Sequence, residues 1–256
     1  MIAASNIWLT AYTGIELQPF LLICLIVFSA AFLRGLTGFG YALLAVPFVG
    51  LVSTPAVAVV MAILMQVAMG PIGLRSSLRI IDIPMVLKIA ALACLTTPVG
   101  LWLLDIVSDD VARLIITGIA IGSFLAFMVK RKPDINLTPL QVVLTGASSG
   151  ILNGFAAMPG PPVVLQFVRE NVPPAMARSS MITIFFATSI MGSLVAFWRG
   201  MVDERLIVLT ALSIPFMIAG NQLGARFFGA ISEPVWRSMI IILLGIAGAV
   251  AFSRLF

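Results

Sequence analysis

The chain has 256 residues, 61% of them hydrophobic and only 10% charged, with a net charge of +5, no histidine and a mean hydropathy of +1.16. That balance excludes a soluble globular domain. It also excludes nucleic-acid binding as the reason for the positive charge, because the basic residues stand at the ends of apolar runs, where membrane topology places them.

Residues 1–16 contain no Lys or Arg. They lack the basic region of a cleavable signal peptide, so the first hydrophobic segment is expected to be retained. Uncharged runs then follow in order: Leu17 to Leu33, Gly35 to Leu74, Ile89 to Leu104, Leu114 to Val129, Ile135 to Val168, Ser179 to Trp198, Leu206 to Ala225 and Ser238 to Ser253. A spanning helix needs about 20 apolar residues. The runs therefore hold eight to ten membrane segments, depending on how the two longest are divided. They are apolar all round rather than alternating, which rules against a membrane β-barrel. Cys24 and Cys94 both lie in apolar runs and read as small buried hydrophobes.

The first long run opens with "RGLTGFGYALLAVP", Arg34 to Pro47, and the fifth carries "SGILNGFAAMPGPP", Ser149 to Pro162. A displacement of about 115 pairs Gly35 with Gly150 and Pro47 with Pro162. Further on, a displacement of 124 lays Gly100, Ser108, Val111, Arg113 and Ile116 over Gly224, Ser232, Val235, Arg237 and Ile240. Two matches in the same order, on either side of the basic connector "KRKP" (Lys130 to Pro133), indicate an internal duplication. The division expected is an N-terminal segment 1–16, a membrane repeat 17–129, a connector 130–138 and a second membrane repeat 139–256.

The fold expected is all-α and integral to the membrane: a helical bundle of eight to ten segments in two repeats, with a Gly/Pro-interrupted helix in each. Charge alone fits parallel or inverted repeats, because the basic residues of the second half divide evenly: Arg169 and Arg178, Arg199 and Arg205, Arg226 and Arg237. Five traversing segments per half would make the repeats inverted, and that arrangement is the one favoured. Tyr41 to Leu51 is short for a span, since eleven helical residues rise only about 16 Å; a re-entrant half-helix is the alternative.

Interrupted helices at corresponding places in two repeats point to a secondary transporter with its site between the halves. Backbone N–H and C=O groups freed at a break cannot be satisfied by lipid and must face protein, water or ligand. Arg34, Gly35, Thr37, Gly38, Phe39 and Gly40 precede one helical start, and Asn153, Gly154, Gly160 and the Pro161–Pro162 pair precede its counterpart. Two helix N-termini converging there would bind a compact anion through unpaired N–H groups and aligned dipoles. The competing use of the glycines is close helix packing, and Arg34 is equally an interfacial arginine that snorkels. Among the other polar residues in apolar runs, Gln66, Gln166, Asn221 and Gln222, the last two stand beside Gly220 and Gly224 and complete the substrate-binding set. All ten acidic residues lie at or near segment ends. No metal site, cofactor or hydrolytic centre is expected from such a set. The partners expected are a small-molecule anion and the lipid bilayer, with a homo-oligomer open.

At "GLTGFGYALLAVP" (Gly35 to Pro47) and "GILNGFAAMPGPP" (Gly150 to Pro162), and in its two-repeat organisation and length, the chain resembles the sulfite exporter TauE/SafE family of membrane permeases. The family's opening motif is usually richer in consecutive glycine, whereas Phe39 interrupts the run here. The resemblance implies movement of sulfite, a sulfonate or a related organic anion across a bacterial inner membrane, in either direction. An anion channel and a non-transporting assembly or anchoring subunit are the rival readings.

Overall fold

The computed structural model describes residues 10–37, 40–72, 74–128 and 138–227, and every regular element among them is helical. In chain order these are α1 (Leu17–Thr37), α2 (Tyr41–Val52), α3 (Pro55–Met69), α4 (Leu74–Ser77), α5 (Ile83–Ile106), α6 (Asp109–Met128), α7 (Pro139–Ala156), α8 (Gly160–Arg169), α9 (Pro174–Trp198) and α10 (Glu204–Arg226). Their starts follow from local chemistry. Thr54, Asp82 and Asp203 accept hydrogen bonds from the N–H groups of Val57, Met85 and Leu206. Proline occupies the first turn of α3, α5, α7, α8 and α9, where its missing N–H costs nothing.

The outside of the bundle is as apolar as its core. Leu87, Leu95, Leu144, Leu194 and Trp198 are exposed, the last at 85%. Such a surface suits lipid and not water. Four helices among the described residues are long and apolar enough to cross a membrane, within α1, α5, α9 and α10, while α2 and α3 are shorter apolar helices. The eight to ten segments counted from uncharged runs came partly from the two long ones. The fold cuts these runs into short helices: α2 has 12 residues, α3 has 15 and α8 has 10. Pro47 does not terminate the first interruption as its spacing suggested; it lies buried inside α2.

Two ends of the bundle are identified by polar contacts. At one, Arg199 after α9 pairs with Asp105 near the end of α5. Arg113 of α6 pairs with Asp110 and donates to the carbonyl oxygens of Gly50 and Ser53 at 2.9 and 3.2 Å. Arg113 thereby closes the carbonyl end of α2. The Arg205 side chain packs on Gly14, just before α1, at the same end. At the other end Asp82 caps α5 and lies close enough to Glu170, which follows α8, to act on its charge. Burial first, and Asp82 after it, raise the Glu170 carboxyl above the ordinary glutamate range.

These contacts orient the short helices. Both arms of the α1–α2 pair reach back to the Asp105 end. The α7–α8 pair opens toward the Asp82 end, with Gln141 and Arg169 on the walls of one cleft between its arms. The most extensive packing joins α5 to α7 and α1 to α10, and glycine makes both contacts close. A Cβ on Gly154 would overlap the Thr97 carbonyl oxygen, and one on Gly35 the Asn221 carbonyl oxygen. Gly100 faces Gly154, and Gly224 faces Gly35.

Candidate functional site

The two helix breaks are built differently. α1 ends at Thr37, and Gly40, at φ +91°, turns the chain into α2. That left-handed value is one glycine adopts without penalty. α7 ends at Ala156 with Ala157 at φ +55°. There the Ala157 N–H bonds the Asn153 carbonyl at 2.8 Å, the single bond of a left-handed helix ending, and the Met158 N–H bonds the Leu152 carbonyl at 3.2 Å. Two side chains hold this second break: Ser149 Oγ donates to the Pro159 carbonyl at 2.7 Å, and Gln66 Nε2, reaching over from α3, donates to the Ala157 carbonyl at 3.2 Å.

Both breaks open into one cleft of about 630 Å³. Arg34, Gly40, Tyr41 and Gln66 form one side, Met158 to Pro161 the second, and Ile182, Phe185 and Phe186 of α9 an apolar wall. The N-termini of α2 and α8 therefore meet there. Their donors are unequal, because the first turn of α2 (Tyr41, Ala42, Leu43) keeps all its N–H groups, whereas Pro161 and Pro162 remove two from α8. Arg34 adds the cleft's cation. Its Nη1 is buried with no partner in the protein, although guanidinium groups in such places are normally paired. Tyr41 and Arg178 lie close enough to act on it electrostatically, and the Tyr41 hydroxyl is turned away to Met65 Sδ at 2.8 Å.

Of the residues singled out in the sequence, Arg34, Gly40 and Gly160 line this cleft. Gly35 and Gly154 lie within α1 and α7, where they seat the crossings with α10 and α5. Thr37 is the last residue of α1, and Gly38 and Phe39 lie outside the described residues. Asn153 is wholly buried, its Nδ2 donating to the Thr188 carbonyl at 3.0 Å and to Thr97 Oγ1 at 3.4 Å. Asn221 is half-buried at the Gly35 crossing and Gln222 is exposed. Neither lines the cleft. Tyr41, Gln66, Phe185 and Phe186 do line it and were not among the expected residues. Gln66 carried a signal, as an amide in mid-run, but the aromatic pair carried none.

An arginine with an unpartnered nitrogen, the N–H groups of a helix start and an amide beside an apolar wall together suit a small anion with one strongly charged group. The model of the family described as "Sulfite exporter TauE/SafE" matches residues 23–251. A protein of Cupriavidus necator described as "Probable sulfite/organosulfonate exporter TauE" is 25% identical over 228 residues, covering 86% of this chain and 89% of its own. No solved structure matches the chain.

Proposed function

Because the chain belongs to the sulfite exporter TauE/SafE family, whose members are transporters and not enzymes, we propose that this multi-pass membrane protein is a secondary transporter. It moves a small oxyanion, such as sulfite, a sulfonate or a related organic anion, across the inner membrane by alternating access. The observation that carries this reading is the unpartnered Arg34 nitrogen in the cleft where α2 and α8 begin. The relative's printed description, an exporter of sulfite or organosulfonate, agrees with an anion cleft. It leaves direction and the particular anion to experiment.

Two inverted repeats are the architecture behind this proposal. Tyr41 and Gly160, which start α2 and α8, are 119 residues apart, as are Pro55 and Pro174, which start α3 and α9. The crossing of Gly35 with Gly224 has its counterpart in that of Gly154 with Gly100. The hairpins α1–α2 and α7–α8 open to opposite ends, as inversion requires. In this arrangement α2 and α8 are re-entrant, about 18 and 15 Å long, and each hairpin counts as one membrane element. The register of 119 differs from the 115 that best matched the motifs, and it sets Arg34 opposite Asn153.

The test is thermal unfolding of the purified protein in detergent against sulfite, thiosulfate, sulfate, taurine, isethionate, sulfoacetate and acetate. An anion at a hundred times its dissociation constant adds about 2.7 kcal/mol. One chemical class should stabilise the protein and Arg34→Gln should cut the shift by about half or more, with saturable counterflow in liposomes separating a carrier from a channel. A shift unchanged in Arg34→Gln defeats the cleft assignment, and flux that shows no counterflow defeats alternating access.

A further inference from the structure

Hydroxyl groups in buried helices usually donate back to a carbonyl one turn earlier, and this bundle does so repeatedly. Thr97, Ser123, Ser148, Thr183, Thr210 and Ser213 all bond the residue four before them. Ser189 and Ser193 of α9 break the pattern. Ser189 is 0% and Ser193 9% exposed, yet neither Oγ has a partner in the protein. A polar atom left so costs free energy comparable to a lost hydrogen bond, and it demands an explanation.

The other buried side-chain atoms in the same condition, among the described residues, are Arg34 Nη1, Asn153 Oδ1, Gln166 Oε1 and Arg199 Nε. They fall in an order along the bundle. Gln166 lies in α8, one turn before Glu170 and the Asp82 end, on the wall of a cleft between α7 and α8 that Gln141, Ser148 and Arg169 also line. Arg34 lies at the cleft between the breaks. Asn153 is fastened to α9 through the Thr188 carbonyl and its Nδ2 sits against Gly192, so it meets α9 at the residues that immediately precede the two serines. Helical spacing puts Ser189 and Ser193 on the side of α9 that carries Ile182, Phe185 and Phe186, the cleft's apolar wall. Arg199 closes the series about 9 Å of helix rise beyond Ser193, paired with Asp105.

We propose that these atoms mark one polar route through the bundle: from the Arg34 cleft past Asn153, Ser189 and Ser193 to the Arg199–Asp105 ion pair, which closes that end. The route admits water, and the hydroxyls donate to the passing anion in place of its hydration shell. Its cargo rests on the transport reading above, whereas its wetness does not. Serine serves this use because its hydroxyl donates and accepts without holding a charge against the substrate. The ion pair serves as a closure because breaking it at the bundle's end leaves two groups that water hydrates readily.

The experiment uses the full-length chain with Cys24 and Cys94 replaced by alanine, reconstituted in liposomes, and a membrane-impermeant, anionic methanethiosulfonate reagent. Cysteine is introduced singly at Ser189, Ser193 and, as the buried control, Ser213, which is 0% exposed and back-bonded to Leu209. Thiols in a wet route ionise and react, while a dry buried thiol stays inert, so Ser189→Cys and Ser193→Cys should label at least about tenfold faster than Ser213→Cys. Adding Arg199→Gln should accelerate Ser193→Cys more than Ser189→Cys. Rates at both positions equal to the Ser213→Cys control overturn the route, even if Arg34→Gln still loses anion binding. Fast labelling that no anion slows keeps the route and overturns its cargo. Fast labelling slowed by the anion that stabilises the protein supports both.

Discussion

The two helix breaks share a cleft, yet they hold different chemistry. The first break supplies charge and donors: Arg34 with an unpartnered nitrogen, an intact set of N–H groups at the start of α2, and Gly40 in a left-handed turn. The second supplies shape. Its α8 start loses two donors to Pro161 and Pro162, its chain is held by Ser149 and Gln66, and Asn153 is consumed largely by hydrogen bonds to α5 and α9. Two breaks that share a cleft thus need not carry the same chemistry. One cation against one anionic group leaves the cleft near neutral when loaded, whereas a second buried arginine opposite Arg34 would repel the first and add another desolvation cost.

The largest effect should come from what the breaks share. Gly35→Val and Gly154→Val both drive a side chain into the backbone of the facing helix, so each should cost at least about 3 kcal/mol, read as loss of monodisperse protein on size exclusion. If Gly154→Val were tolerated while Gly35→Val were not, the two crossings would not be equivalent.

The next effect separates the breaks. Arg34→Gln should weaken anion binding about tenfold or more, equal to about 1.4 kcal/mol, while leaving stability without ligand unchanged or higher, since a buried nitrogen without a partner is removed. Asn153→Ala should lose about 2 kcal/mol of stability with its two hydrogen bonds. Thermal melts with and without the stabilising anion decide it. Equal losses of binding and stability in both variants would erase the division between a charged break and a structural one.

The smallest effect concerns the turns. Gly40→Ala forces a Cβ into a left-handed conformation and should destabilise by about 1 kcal/mol, whereas Ala157→Gly relieves such a conformation and should stabilise by about 0.5 kcal/mol. Opposite signs in chemical or thermal unfolding are the expected result. The same sign in both would mean that one turn differs from the geometry described.

Much of this was legible in the residues themselves. Hydropathy demanded a helical membrane bundle, since lipid leaves backbone groups no other partner. Glycine clusters at Gly35 to Gly40 and Gly154 to Gly160 located both breaks, because those residues give up helix hydrogen bonds at least cost. Arg34, a basic residue between two apolar runs, read from the sequence as either an anion ligand or an interfacial arginine that snorkels. The sequence could not separate glycines that turn the chain from glycines that let helices touch. Gly40 does the first, and Gly35 and Gly154 do the second, a distinction that depends on which helix lies opposite. Asn221 and Gln222 were placed near the site by their glycine neighbours, but Asn221 stands at the Gly35 crossing, Gln222 is exposed and neither lines the cleft.

The amino-acid sequence by itself determined that this chain lives in lipid, that its helices break twice and that one break carries a cation. Those are properties of solvation and local backbone freedom, which act residue by residue. Only the tertiary structure decided that the two breaks meet in one cleft, that Phe185 and Phe186 wall it, and that Ser189 and Ser193 keep their hydroxyls unbonded. Each depends on the direction a helix faces after packing, and no run of neighbouring residues encodes that.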